Sequence, residues 1–180
     1  MQIIIKYKNI KDIYNELKFI VDKYKINNKL IVDIDFNPKK IWGDKMKEKS
    51  CGAIVYKKEN DELKFLLVHQ SNGHYSFPKG HMEEGETELQ TTLREIKEET
   101  NLDVEVDANF REQISYFVES RNVMKDTVYF VATPTTFDLI NQEGEITECA
   151  WFDYETVKYK IEFADIIEIF EKAYNYIKNN

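Results

Sequence analysis

The fold turns on one stretch, Gly80-His81-Met82-Glu83-Glu84-Gly85-Glu86-Thr87-Glu88-Leu89-Gln90-Thr91-Thr92-Leu93-Arg94-Glu95-Ile96-Lys97-Glu98-Glu99-Thr100-Asn101-Leu102. Within it, Thr87–Thr100 reads as a helix. Leu89, Leu93 and Ile96 recur at i, i+4 and i+7, which predicts an apolar stripe turned toward a core. Glu95, Glu98 and Glu99 fall at i, i+3 and i+4 on roughly the opposite face, with Glu88 one turn back near the same side. Like charges at this spacing cost about 0.2–0.5 kcal/mol per pair in an isolated helix. A divalent cation reverses that sign, because Mg²⁺ accepts carboxylate oxygens and keeps several waters. A solvated acidic face is the competing reading. The glycine-bearing loop in front of the helix, and Arg94 set among the acids four residues before Glu98, favour a site.

The flanking sequence reads as one α/β unit. Cys51–Tyr56 and Leu63–His69 are expected strands about a turn in Lys57–Asp61. Ser71–Gly85 is expected to be a loop. Val104–Val106, Gln113–Val118, Thr127–Ala132 and Cys149–Phe152 alternate as strands do. Ala164–Lys178 is a terminal helix with Ile166, Ile167, Phe170, Ala173 and Ile177 as its stripe. In front of this unit, Ile3–Tyr7, Lys11–Lys25 and Leu30–Phe36 read as strand, helix and strand, followed by a charged linker at Gly43–Lys49. The expected division is therefore an N-terminal extension over residues 1–48 and a second domain over 49–180.

Composition bounds the function. The 180 residues are 42% hydrophobic, enough to build a packed core, so disorder of the whole chain is excluded. No apolar run approaches the ~20 residues of a membrane span, and Met1–Lys6 lacks the pattern of a secretory signal. Cys51 and Cys149 are too few for a disulfide framework or a thiolate zinc site, which fits a reduced, cytoplasmic setting. The net charge is −8, divided as +5 over residues 1–50 and −13 over residues 51–180. The acidic part repels nucleic acid unless metal ions intervene. A strand–helix–strand piece of this size buries little alone, so residues 1–48 are expected to dock on the acidic domain, on an anionic partner or at a homodimer contact.

The quoted stretch resembles the signature of the Nudix hydrolase family, Gly-x5-Glu-x7-Arg-Glu-U-x-Glu-Glu-x-Gly-U, with U a bulky aliphatic residue. Gly80, Glu86, Arg94-Glu95-Ile96, Glu98-Glu99 and Leu102 match it. Asn101 stands where the family has glycine. That position ends the helix in a left-handed conformation, which Asn tolerates best after Gly, so a small stability cost with intact chemistry is expected. The resemblance extends over about residues 50–155. It implies an α+β fold, a Nudix-type α/β/α sandwich with a mixed sheet, carrying the small N-terminal βαβ extension. It further implies hydrolysis of a nucleoside diphosphate derivative with Mg²⁺ or Mn²⁺ as cofactor. By motif position, Glu98 and Glu99 are implied metal ligands, Gly80 a ligand through its carbonyl, and Glu95 a third ligand or water-orienting base. Arg94 is implied to hold the glutamates by ion pairing. A further glutamate in the loop before Trp151 is expected as catalytic base, Glu145 first and Glu143 in reserve.

Gly73-His74-Tyr75-Ser76-Phe77-Pro78-Lys79-Gly80-His81 is similar to the Gly-His-Trp-x-x-Pro-Lys-Gly-His segment of asymmetrical diadenosine tetraphosphate hydrolases, with Tyr75 in place of Trp. This implies cleavage of diadenosine tetraphosphate to ATP and AMP. Lys79 and His81 become candidate phosphate contacts and Tyr129 a candidate stacking surface, with Phe36, Trp42 and Tyr116 behind it. Two alternatives stand beside this reading. One is another Nudix pyrophosphatase acting on a nucleoside triphosphate, ADP-ribose or RNA 5′ ends. The other is a non-catalytic, nucleotide-sensing regulator, which has no need to keep Arg94, Glu95, Glu98 and Glu99 together.

Overall fold

The computed structural model describes residues 47–118 and 121–180. The chain divides into two units, Met1–Lys45 and Met46–Asn180. The readings of Ile3–Tyr7, Lys11–Lys25 and Leu30–Phe36 lie outside the described residues.

Alternation along the strands sets the layers. In β1 (Lys47–Glu59), Cys51, Ala53 and Val55 are buried toward one face and Ile54 toward the other. Asn60 and Asp61, at φ 50° and 65°, turn the chain into β2 (Glu62–Gln70). Two positive-φ residues in a two-residue loop give the turn whose twist matches the strands. Two short strands follow, β3 (Tyr75–Ser76) and β4 (Lys79–His81). Helix α1 (Glu88–Thr100) leads to β5 (Val104–Val118), β6 (Val123–Pro134) and β7 (Ile146–Phe152). Helices α2 (Tyr154–Lys160) and α3 (Ala164–Asn179) end the chain.

The sheet is mixed, in the order β3-β2-β1-β6-β5, with β4 added to β1 and β7 to β2. Only the β1–β6 pair is parallel among the described strands. Ile96 and Leu102, in α1 and just past its end, pack on Cys51, Ala53, Leu66 and Phe130. On the opposite face, Val157 of α2 and Ile169, Phe170 and Ala173 of α3 pack on Ile54, Phe65 and Tyr129. Phe65 meets Phe170 edge-on at 4.8 Å. Each such fully buried side chain contributes about 1.5–3 kcal/mol, so the two apolar clusters hold the helices to both faces. Among the described residues, no helix is long and apolar enough to cross a membrane.

Four features differ from the sequence reading. First, Leu89 and Leu93 are 38% and 43% exposed, and α1 instead buries Thr91, Thr92, Ile96, Glu99 and Thr100. Two of the threonines satisfy themselves in the helix, Thr92 Oγ1 donating to the Glu88 carbonyl at 2.8 Å and Thr100 Oγ1 to that of Ile96 at 2.6 Å, while Thr91 Oγ1 donates to Glu86 at 2.7 Å. Short side chains of this kind let the helix sit close to β1. Second, Lys47–Lys49, read as linker, are strand paired with Met124–Asp126. Third, Val104–Val118 is one strand whose register shifts between Asp107 and Glu112, where Asn109 donates twice to Asp107 Oδ1. Fourth, α2 is capped by Asp153, which accepts from Thr156 N–H at 2.8 Å, a short signal inside Asp153–Thr156.

Asn101 ends α1 at φ 63°, and its Nδ2 donates to the Asp138 carbonyl at 3.1 Å. A β-branched residue in this conformation costs about 1–2 kcal/mol, and losing the side-chain bond about 1 kcal/mol more. Asn101→Val is expected to lower unfolding stability by about 2–3 kcal/mol and Asn101→Gly to stay within about 1 kcal/mol, as read by urea denaturation.

Candidate active site

The helix α1 begins with a capping box: Thr87 accepts from Gln90 N–H, and the Gln90 side chain accepts from Thr87 N–H at 2.9 Å. This fixes the helix start close behind the Gly80 loop and sets which residues turn toward it. Arg94 stands at the centre. Its Nε and Nη2 donate to the two Glu86 oxygens at 2.7 and 2.9 Å. Its Nη1 donates to Glu95 at 2.8 Å and Glu98 at 3.0 Å, and Nη2 also reaches the His81 carbonyl at 2.8 Å. One guanidinium thus ties three carboxylates and the β4 backbone together, using the fork geometry that only Arg supplies. Glu86 is held down at about 2, first by Arg94 and then by the Glu83 N–H and the Thr91 hydroxyl. Arg94 is raised in turn.

The remaining acids differ in environment. Glu99 is 4% exposed, and its Oε2 accepts the Lys79 backbone N–H at 3.0 Å. Burial pushes its carboxyl up to about 8, against opposing pulls from the Lys79 charge and N–H and with further upward pushes from Glu95 and Glu145. Glu95 is also raised, burial outweighing Arg94. Glu88 belongs to a different contact. It pairs with Lys49 at 2.6 Å and Arg111 at 2.7 Å, pinning α1 to β1 and β5 rather than joining the other acids.

Two glycines allow the close approach. A Cβ on Gly80 would collide with the Glu95 carboxylate. A Cβ on Gly52 would collide with the Pro78 carbonyl and Lys79. Gly80 therefore lets the β4 backbone lie against the α1 acids, and Gly52 lets the Pro78–Lys79 backbone lie on β1.

Among the described residues, no three His, Cys, Asp or Glu side chains form a ready-made metal cage; Arg94 engages Glu95 and Glu98 instead. The donor set still fits a hard cation. It is all oxygen, it includes a buried carboxylate that burial alone disfavours in its charged form, and the Gly80 backbone abuts Glu95 with no side chain between.

The other expected residues fall around this centre. Glu145 is exposed on the loop before β7, close enough for its charge to push up Glu99, and its carbonyl accepts from Ser71 N–H at 2.8 Å. Glu143 is exposed on the same loop. His81 Nε2 lies 3.2 Å from Glu48. Tyr129 is 1% exposed and meets Phe77 edge-on, which places its ring beneath a cavity rather than along the rim. Phe36 and Trp42 lie outside the described residues. The cavity, of about 420 Å³, is lined by Lys79, Tyr116, Lys125, Thr127, Tyr129 and Phe163 among others. Tyr116, 39% exposed, is its accessible aromatic on β5.

The sequence reading missed Lys125. Burial, then Lys79 and Arg121, pull its ammonium down to about 8. Among the described residues, neither Lys79 nor Lys125 lies within ion-pair distance of a carboxylate. Its signal was the period of two that puts Lys125, Thr127 and Tyr129 on one face of β6.

A family model described as NUDIX domain matches residues 46–172. The asymmetrical bis(5′-nucleosyl)-tetraphosphatase of Sus scrofa is 27% identical over 141 residues, covering 72% of this chain and 95% of that protein. The enzyme of the same name from Caenorhabditis elegans is 30% identical over 126 residues, covering 67% and 88%. The crystal structure of a C. elegans Ap4A hydrolase binary complex superposes with a TM-score of 0.68 at 24% identity, covering 74% of this chain and 99% of that one.

The buried Glu99 carboxyl makes a pH prediction. Its folded value of about 8 lies above the ordinary 4.5, so between these values the folded protein keeps a proton that the unfolded chain has lost. Stability of the metal-free protein therefore falls as pH rises from about 4.5 to about 8. In chelator, Glu99→Gln is expected to remove most of that fall and to melt several degrees above the parent at alkaline pH. Melting curves across the pH range check this.

Proposed function

Since the chain belongs to the Nudix hydrolase family, we propose that it hydrolyses the polyphosphate bridge of a dinucleoside polyphosphate, cutting diadenosine tetraphosphate asymmetrically to ATP and AMP with Mg²⁺ or Mn²⁺. The observation that carries this reading is the junction at Lys79. Its backbone is bound by Glu99 of the acidic helix, while its side chain lines the cavity that also holds Lys125. A phosphate chain crossing that junction meets two unpaired cations on one side and the α1 carboxylates on the other.

The roles follow from the environments. The Gly80 carbonyl, Glu95, Glu98 and Glu99 would hold the divalent ion. That ion, when bound, neutralises pyrophosphate charge and acidifies an attacking water. Arg94 keeps Glu86, Glu95 and Glu98 from repelling one another and orients Glu95 and Glu98 before substrate arrives. Lys79 and Lys125 neutralise the bridging phosphates, and Tyr116 offers an aromatic face to a base. Glu145, exposed and near Glu99, takes the proton of the water that attacks phosphorus, and the leaving phosphate departs as the nucleotide product. The similarity to asymmetrical tetraphosphatases from pig and worm supports this choice of substrate.

Incubation of the protein with diadenosine tetraphosphate and Mg²⁺ is expected to yield ATP and AMP in equal amounts, as read by mass spectrometry. Glu145→Gln is expected to slow turnover by about 10²–10⁴-fold, the range of a lost general base, without shifting the melting temperature. Two molecules of ADP as sole products would refute the asymmetrical reading. Pyrophosphate release from a nucleoside triphosphate, with the dinucleotide untouched, would move the function to a different Nudix pyrophosphatase.

A further inference from the structure

One row of side chains beside the cavity carries an acid where substrate phosphates would be expected to approach. Glu48 and Ser50 of β1 are register partners of Lys125 and Thr127 of β6, so all four share one face of the sheet. β4 adds His81 opposite Ser50, and Lys79 opposite Gly52, on that same face. Arg121 joins the row through Glu48: its Nη1 donates to Oε1 at 3.0 Å and lies 2.8 Å from Oε2 as an ion pair. His81 Nε2 lies 3.2 Å from Glu48 as well. Three basic side chains, Arg121, His81 and Lys125, thus gather about the Glu48 carboxylate, and Lys79 and Arg121 are close enough to depress the Lys125 ammonium.

Beneath this row lie two buried hydroxyls. Ser50 and Thr127 are 0% and 1% exposed, and neither Oγ nor Oγ1 has a hydrogen-bond partner. Thr127 also lines the cavity. An unsatisfied buried hydroxyl costs about 1–3 kcal/mol, and its persistence beside these bases points to a polar, anionic occupant.

We propose that Glu48 is a resident counter-ion of this anion-binding row, a carboxylate tethered where a substrate or product phosphate binds and displaced by it. The proposal rests on the polyphosphate reading above and adds a residue that opposes binding. A tethered carboxylate acts at an effective concentration in the millimolar range or higher. It therefore returns to Arg121 and His81 once the phosphate chain is cut and the remaining anion is held at fewer points. Glu48 weakens anion affinity and shortens retention of the nucleotide product.

The test is a calorimetric titration of the full-length protein with inorganic tripolyphosphate, in chelator and at low ionic strength. Glu48→Gln keeps the hydrogen-bond acceptor but removes the charge, and it is expected to tighten tripolyphosphate binding by about fivefold, the upper range for an exposed charge pair. Glu48→Asp keeps the charge and is expected to stay near the parent. Binding by Glu48→Gln where the parent shows none would support the proposal equally. Unchanged or weaker binding in Glu48→Gln, or no binding by either protein, would overturn it. Weaker binding would identify Glu48 as a residue that merely positions Arg121 and His81. The titration requires no hydrolysis, so it stays readable if the dinucleotide assay fails. Normal asymmetrical cleavage with unchanged tripolyphosphate affinity would remove this inference alone.

Discussion

The Arg94 guanidinium is the contact on which the site depends. Glu86, Glu95 and Glu98 all reach it within 3.0 Å, and it also binds the His81 carbonyl. Without that charge, Glu95 and Glu98 would face each other across one turn of helix, partly out of water. Breaking such a partly buried network by removing one partner is destabilising, because it leaves uncompensated charge behind. The same contact joins α1 to the loop after β4, so the ion-pair network sets the distance between the acids and the Gly80 backbone.

The placement of Glu99 shows how the fold and the chemistry share residues. Its carboxylate is almost fully buried, and it accepts a backbone N–H from Lys79. That bond anchors β4 to α1, yet burial leaves the charge poorly compensated and pushes the carboxyl up. A group of this kind costs stability on its own and, under the proposed metal binding, would gain a cation as partner. The pattern is that of a site preorganised at the expense of local stability.

Much of this was legible in the sequence, for physical reasons that differ between elements. Helix α1 was readable because charge spacing and a terminal Asn both signal locally, and Asn101 adopts the left-handed conformation expected at its position. The inward face of that helix was misread. Leu89 and Leu93 read as core by hydrophobicity, whereas close packing against β1 selects small threonines whose hydroxyls bond within the helix or to Glu86 just before it. Lys125 and Glu48 were invisible for another reason. Their roles arise from a parallel β1–β6 pairing that brings together residues 77 positions apart, and local patterns carry no register for such a pair. The stretch Asp107–Glu112 read as a break because its turn-forming residues build a register shift inside a continuous strand.

The central claim is that the Gly80 carbonyl and the carboxylates of Glu95, Glu98 and Glu99 form one divalent-cation site organised by Arg94. The most direct measurement is the anomalous difference map of crystals soaked in Mn²⁺. The account predicts its strongest peak between the Gly80 backbone and the α1 carboxylates, with Arg94 still bound to Glu86. Strong Mn²⁺ density confined to the exposed loop of Glu143 and Glu145, with none beside Gly80, would contradict it.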